Sequence, residues 1–492
     1  MCDVIVRKHN EVYDEIVTDR GILRELSDFF TFEVPGAKYM PSYKNRMWDG
    51  KIRLLNLNTS QLYCGLSHYL TKFCNDRKYT LSFEYNNASE SISLHEAKDY
   101  LSKQGLTLEP RDYQIKAFVD AIRNSRGLFV SPTASGKSFI MYMIMRWYLK
   151  RTLIIVPTTT LVHQLYSDFE SYGFNSERFV HKIFAGQSKS SKNPVVITTW
   201  QSIYKQPKEW FDQFDVVFGD EAHLFKAKSL TTIMTNLENC KYRFGFTGTL
   251  DDSLTHQWVL EGLFGPVRRV ITTKELMDAK HVADLKIKII TLRHNENDKA
   301  EYRDLMKQYK DDKKKAYQYE LKYLIQHEKR NEFIRNLTLS LNGNTLLLFQ
   351  MVETHGKVLY NSILNAVSAD RKVFFIHGGV KGSDRDVVRG IVEKETNAII
   401  IASYGVFSTG VNIKNINSLI AASPSKSKIR VLQSIGRGLR TSDTKDSVVL
   451  YDIADELMKM TSKMNYTLDH LIQRIDIYDR EQFNYRLYQV NL

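Results

Sequence analysis

Gly127-Leu-Phe-Val-Ser131-Pro-Thr133-Ala134-Ser135-Gly136-Lys137-Ser138 is an apolar strand that runs into a turn of small residues and then into a helical pattern. A turn between a strand end and a helix N-terminus aims several unpaired backbone N–H groups at one spot, with the positive end of the helix dipole behind them. Anionic oxygens bind in such a place. Gly136 lets the backbone approach phosphates, with Thr133, Ala134 and Ser135 forming the rest of the cradle. Lys137 reaches β- and γ-phosphates, and the Ser138 hydroxyl is placed to ligate Mg²⁺. The strict G-x-x-x-x-G-K-[ST] pattern begins with glycine, and this chain has Ser131 there. Taken alone, the loop also fits a plain helix start with a solvated lysine.

Outward from this loop, short apolar runs recur at 152–157 (TLIIVP), 180–184, 195–199 (VVITT), 215–219 (DVVFG) and 243–247 (RFGFT), separated by helical patterns. Runs without polar alternation are buried on both faces, which predicts a parallel sheet covered by helices, with ligands at the carboxyl ends of its strands. Asp220-Glu221-Ala222-His223 directly follows one strand and Thr247-Gly248-Thr249 ends another, so both lie at that rim. The same alternation resumes at 284–292, 344–351, 372–376, 397–402, 418–422 and 447–452, which predicts a second α/β domain with no obvious sequence repeat of the first. Between the halves, Lys299 to Arg330 is a charged helical tract carrying Lys307, Lys310, Lys313, Lys314 and Lys315, read as a solvated helix face. Tyr466 to Tyr488 is an amphipathic pattern expected to pack back onto a domain.

Ahead of the loop, the opening residues read as a small α/β domain with a short helix around Ile22 to Phe29. Its segment Gly36 to Leu55 interleaves Lys38, Lys44, Arg46, Lys51 and Arg53 with Tyr39, Tyr43 and Trp48, offering cations for phosphates and flat rings for unstacked bases. A hairpin turning at Asp49-Gly50, with Trp48 in its core, is compatible with the same residues. Ser93-Leu94-His95-Glu96 has capping-box spacing and marks the boundary with the next domain. The 492 residues carry a net charge of +13, and a basic excess on a folded enzyme answers a polyanion, nucleic acid first. No apolar run approaches the length of a spanning helix and no signal-peptide pattern opens the chain. The 4 cysteines form no C-x-x-C pair and fit a reducing cytoplasm.

Asp220 after a strand is suited to hold Mg²⁺ through water, and Glu221 beside it can orient and deprotonate an attacking water, which makes ATP hydrolysis the natural chemistry. In the second half, Gln433-Ser-Ile-Gly-Arg437-Gly-Leu-Arg440 puts two arginines on one helix face. They read either as arginine fingers for a transferring phosphoryl group or as DNA contacts.

The order Arg111-Asp-Tyr113-Gln114, Ser131 to Ser138, Val156-PTTTL, Ile197-TTWQS, Asp220-EAH, Thr247-GT, Ser408-TGVN and Gln433-SIGRGLR resembles the superfamily 2 helicases over about 105 to 455. More narrowly, Trp48-DGKIRLL, Lys205-QPKEWF, Ala402-SYGVFSTG and Phe483-Asn-Tyr485 resemble the phage UvsW-type helicases, which act on branched DNA. The resemblance implies two tandem RecA-like parallel-sheet motor domains after a small α/β N-terminal domain. The expected bounds are 1–92 for that domain, 93–278 and 279–455 for the motor domains, and 456–492 for a helical extension.

By the same resemblance Arg111 and Gln114 would read adenine with Tyr113 packed nearby. Lys137, Ser138, Asp220, Glu221, Gln433, Arg437 and Arg440 would form the ATPase. Thr158, Thr199 and Thr409 would touch the DNA backbone, and Thr247 with Thr249 would couple the sites. Asn412 stands where many relatives carry an acid for the ribose. The implied cofactors are ATP and Mg²⁺. The implied partners are branched DNA and, as an alternative, RNA–DNA hybrids, acted on by a monomer in the cytoplasm, that of the host for a phage protein. An RNA helicase and an ATP-switched DNA-structure binding protein without unwinding are the competing readings.

Overall fold

A computed structural model describes residues 2–34, 36–85, 90–250, 254–309, 312–380, 382–409, 413, 415–423, 435–436, 438–439, 447–458 and 464–492. It divides into two compact units, one from the N-terminus to Ile271 without Pro132–Ser135, the other made of those four residues and Thr272–Leu492.

The first unit opens with β1 (Val4–Lys8), β2 (Tyr13–Thr18), β3 (Thr31–Glu33), β4 (Lys51–Arg53), β5 (Leu55–Asn56), β6 (Gln61–Tyr63) and β7 (Leu81–Phe83). The sheet runs β5-β6-β2-β1-β7, with β1 and β7 parallel and the other pairs antiparallel. Helix Arg20–Phe29 is capped by Asp19, whose carboxylate accepts from the Gly21 and Ile22 amides. It buries Ile22 and Leu26 against Val4, Val6, Ile16 and Leu62. This core is closed from outside. Trp258, on helix Leu254–Phe264, sets its ring, tilted, 5.4 Å from Phe29 and 4.8 Å from Tyr69. Beside it Gly65 approaches so closely that a Cβ there would lie 1.9 Å from the Glu261 carbonyl oxygen.

The larger sheet of this unit comprises β8 (Arg126–Val130), β9 (Thr152–Val156), β10 (Val180–Ile183), β11 (Val195–Thr199), β12 (Val216–Asp220), β13 (Tyr242–Thr247) and β14 (Val267–Arg269). Its order is β10-β11-β9-β12-β13-β8-β14 and every pair is parallel. β9 and β11 are buried at every position, as runs without alternation require. Helix Lys137–Tyr148 buries Phe139 through Met145, so the helix behind the loop is a core element. The capping box at Ser93 and Glu96 forms as the spacing predicts.

The second unit holds β15 (Asp284–Arg293), β16 (Thr345–Phe349), β17 (Val373–Ile376), β18 (Ile399–Ser403), β19 (Ser418–Ala421), β20 (Ser447–Glu456) and β21 (Tyr485–Asn491). They run β17-β18-β16-β19-β20-β15-β21, again all parallel. The charged tract becomes helices Glu296–Lys307 and Lys313–Gln326, with Lys307, Lys313, Lys314 and Lys315 exposed and Tyr302, Leu321 and Leu324 buried. The C-terminal stretch departs from a purely helical extension. Helix Tyr466–Arg480 stops, and Gln482, at φ 58°, helps turn the chain so that β21 pairs with β15 from Ile287 to Arg293. Among the described residues no helix is long and apolar enough to cross a membrane.

Candidate active site

Five strand ends, those of β8, β9, β11, β12 and β13, bring expected residues to one rim of the β8–β14 sheet. β8 and β13 are adjacent, and the Ser131 amide continues their ladder by donating to the Thr247 carbonyl at 2.9 Å. After Ser131 the chain turns through Ala134 at φ 68° and Gly136 at φ 80°, two successive departures that a helix-directed turn of N–H groups demands. Gly136 holds a backbone that strains any residue with a side chain. A Cβ there would stand 2.3 Å from Gln114 Nε2. Gln114 is buried and its Oε1 accepts from the Arg111 amide at 2.9 Å, while Arg111 Nη1 donates to the Tyr113 hydroxyl at 3.0 Å. The loop and the Arg111–Gln114 turn are therefore one packed assembly.

Lys137 Nζ donates to the Ser131 carbonyl at 3.0 Å, which folds the ammonium back over the loop. A Cβ on Gly248 would lie 3.9 Å from that nitrogen, so the Thr247–Thr249 turn borders the same space. The Ser138 hydroxyl is within 2.8 Å of the Tyr172 hydroxyl. Tyr172 belongs to no motif, and nothing in the sequence marks it.

β12 delivers Asp220 to the rim. Burial, with Glu221 next to it, pushes the Asp220 carboxyl up to about 6, although the nearby Lys137 charge opposes the shift. A carboxylate so placed is under-solvated and suited to a cation. Glu221 holds a left-handed backbone at φ 50° and its amide donates to Asp220 Oδ1 at 2.9 Å. That turn separates the two carboxyls. Glu221 Oε2 is 3.4 Å from His223 Nδ1, and the same nitrogen is 3.0 Å from Thr247 Oγ1. Thr247 gives its own hydroxyl proton to the Thr249 carbonyl at 2.8 Å, so its oxygen accepts and His223 carries a proton on Nδ1. A chain Glu221–His223–Thr247–Thr249 thus joins two motifs at adjacent strand ends. His223 belongs to the DEAH motif, but only the fold reveals its bridging position.

Thr158 and Thr199 also come together. They line one open cleft of about 450 Å³ with Gly186, Gln187, Lys189 and Ser202, past the ends of β9, β10 and β11. Thr158 caps helix Thr159–Ser171, and Thr199 Oγ1 is 2.9 Å from Ser202 Oγ. In the N-terminal domain, Lys44, Arg46, Lys51 and Arg53 are exposed beside Tyr39, Tyr43 and Met47, the last 81% exposed. Trp48 is half-buried and donates to the Lys51 carbonyl at 2.8 Å. A tight hairpin at Asp49-Gly50 does not form. Lys51–Arg53 pairs instead with Thr31–Glu33, and the basic and aromatic loop is the long connection between them. Gln433, Arg437, Arg440 and Asn412, and the side chain of Thr409, lie outside the described residues.

Family models match in three stretches: "DNA helicase UvsW, N-terminal" over residues 3–84, "Type III restriction enzyme, res subunit" over 107–252 and "Helicase conserved C-terminal domain" over 328–442. Over a 516-position alignment the chain is 36% identical to the ATP-dependent DNA helicase uvsW of Enterobacteria phage T4, covering 100% of both. It is 26% identical over 396 positions to the DNA 3'-5' translocase XPB2 of Sulfurisphaera tokodaii, covering 76% of this chain and 87% of that one. The crystal structure of T4 UvsW aligns with a TM-score of 0.52 at 34% identity and covers 99% of each chain.

Proposed function

This chain belongs to the UvsW family of superfamily 2 helicases, and on that premise we propose that it is an ATP-dependent DNA helicase that unwinds or branch-migrates forks, D-loops, R-loops and four-way junctions in phage recombination, repair and replication restart. The observation that carries the chemistry is the convergence of Lys137, Asp220 and Glu221 on one strand rim beside a loop with left-handed residues at Ala134 and Gly136.

In this reading the Thr133–Gly136 backbone and Lys137 cradle the β- and γ-phosphates, and Arg111, Tyr113 and Gln114 border the base. Ser138 and Asp220 hold Mg²⁺, releasing Ser138 from Tyr172, and Glu221 takes a proton from the attacking water. Gln433, Arg437 and Arg440 supply charge to the transferring phosphoryl group, and Asn412 serves the ribose. Thr247 and Thr249, tied to Glu221 through His223, report the state of the nucleotide. Thr158, Thr199 and Thr409 grip the strand. Residues 1–92 read the branch, 93–278 and 279–455 are the motor halves, and 456–492 complete the second. The working unit is a monomer in the host cytoplasm, and RNA–DNA hybrids are its second substrate class.

Branch migration forms one base pair as it breaks another, so the roughly 1.4 kcal/mol of stacking per step nearly cancels. Such a motor needs direction and grip more than force. ATP turnover measured with single-stranded, duplex and four-way DNA tests the reading. Stimulation by DNA is expected, and Lys137→Ala should lower the stimulated rate by about 10²- to 10³-fold while leaving the thermal midpoint unchanged. Turnover indifferent to every DNA would sink it. Changing Lys44, Arg46, Lys51 and Arg53 together to Ala should weaken fork and junction binding more than single-strand binding, and should reduce the dependence of log K on log salt by about 4.

A further inference from the structure

We propose that His294, Asp298 and His327 form a divalent-cation site, of zinc-like preference, at the base of the helical excursion in the second unit. His294 is the residue after β15 and its side chain is fully buried. Its Nε2 lies 3.0 Å from Asp455 Oδ1. Asp455 also receives Arg330 Nε on both oxygens at 2.9 Å, a charge-assisted contact in which both oxygens accept. An ionised Asp455 can only accept, so His294 carries its proton on Nε2 and keeps a lone pair on Nδ1.

That lone pair is buried and has no hydrogen-bond partner. It faces Asp298 Oδ2 at 3.8 Å, an oxygen that is likewise buried. His327 Nε2 stands 3.3 Å from the same oxygen, and the three atoms lie within 4.8 Å of one another. Ligand atoms about 2.0–2.1 Å from a tetrahedral zinc are about 3.3–3.4 Å apart, so one edge fits as it stands and the others close by side-chain adjustment.

Two imidazoles and one carboxylate are the donor set of a borderline cation rather than of Mg²⁺ or Ca²⁺. The Asp455 carboxylate behind His294 is the outer partner that orients a metal-bound histidine. Charge agrees as well. Arg330 and Asp455 form an ion pair whose charges cancel, and Asp298 is the remaining carboxylate among the three ligands. Binding through His327 Nε2 moves that ring's proton to Nδ1, at the cost of a weak 3.3 Å bond from the Arg330 amide. A proton shared by His327 and Asp298 without an ion would leave His294 Nδ1 still unpaired, which the buried-polar rule disfavours.

The site has a mechanical meaning. His294 precedes helix Glu296–Lys307 and His327 follows helix Lys313–Gln326, so one ion would fasten both ends of the excursion to the end of β15.

The test uses full-length protein stripped with a chelator and titrated with Zn²⁺ or Co²⁺ in the absence of nucleotide. One ion per chain is expected, with visible cobalt bands of a four-coordinate nitrogen and oxygen site, no sulfur-to-cobalt charge transfer, and an upward shift of the thermal midpoint. Outer-partner changes at metal sites cost about 10- to 100-fold in affinity, so loss of a direct ligand in His327→Gln or Asp298→Asn should cost about 100-fold or more. Both variants leave the buried His294–Asp455–Arg330 group intact. Absence of stoichiometric binding at micromolar ion, or undiminished binding in both variants, would overturn the assignment. Thiolate charge transfer would do the same by moving the ion to a cysteine.

Discussion

The β8–β14 sheet and the β15–β21 sheet share one strand order. Numbered by appearance within each sheet, both run 3-4-2-5-6-1-7, all parallel. The residues after the first strand differ completely. In one sheet, β8 feeds the left-handed loop at Ala134 and Gly136 and the folded-back Lys137. In the other, β15 feeds a buried histidine tied to Asp455 at the end of the sixth strand. The neighbouring first and sixth strands are joined at the same place by a backbone bond in each sheet, Ser131 to Thr247 and His294 to Glu456, and the second sheet adds a histidine–carboxylate pair. Architecture is repeated while chemistry is not, which is why the two halves share no visible sequence repeat. Sites are grafted onto a fold, and here one rim carries the left-handed loop, its lysine and the paired acids, while its counterpart, among the described residues, carries a buried polar framework.

Glu221→Gln should break the comparison hardest on the first rim. Turnover is expected to fall by about 10²- to 10⁴-fold with nucleotide affinity retained, read by phosphate release and by equilibrium binding of a fluorescent ATP analogue. Normal turnover would assign the base elsewhere. On the second rim Arg330→Leu should act on stability. It leaves the buried Asp455 carboxylate without its cationic partner, held by His294 alone, and should cost about 3–5 kcal/mol in denaturant unfolding. If it instead altered nucleotide affinity alone, the framework reading of that rim would fail.

The smallest expected effect belongs to Asp220 and has a distinct pH signature. Its carboxyl titrates at about 6 in the fold against an ordinary 3.8. A raised carboxyl favours the folded state only while protonated, so its contribution is complete below about 3.8 and is lost as pH rises through about 6. Asp220→Asn should therefore stabilise the nucleotide-free protein at neutral pH, by at most about 3 kcal/mol, with the advantage vanishing near pH 4. Thermal melts of both proteins across that window check the sign. Destabilisation at neutral pH would mean that the carboxylate is already well compensated.

Much of the architecture is legible from residues alone. The interior strands β9, β11, β16 and β18 are short, mostly apolar runs buried at every position, and burial on both faces leaves no other pattern open to them. The two outer strands on the other side of the first strands carry no such signal, for an equally physical reason. β14 is three residues long and includes Arg268 and Arg269, and most of β21 is exposed. Edge strands are held by one neighbour and need no continuous apolar face. In the candidate site, the loop lysine and the paired acids follow from local chemistry, whereas Tyr172 beside Ser138 and His223 between Glu221 and Thr247 depend on which strands become neighbours. The trio of His294, Asp298 and His327 is hidden similarly, since its members come together only when the charged helical tract folds back.

Trp258 carries a consequence for how the molecule is made. The N-terminal domain is complete in sequence by Tyr85, yet the ring that covers Phe29, Phe30 and Tyr69 is encoded roughly 170 residues later. At about 5–20 residues per second a ribosome needs on the order of 10–35 s to supply it. During that interval the emerging domain presents an unfinished aromatic face, and the Gly65 contact with the Glu261 backbone has no counterpart to meet. A domain made early is thus finished only when a later helix arrives, and fragments that end before helix Leu254–Phe264 should be sticky where the intact chain is not.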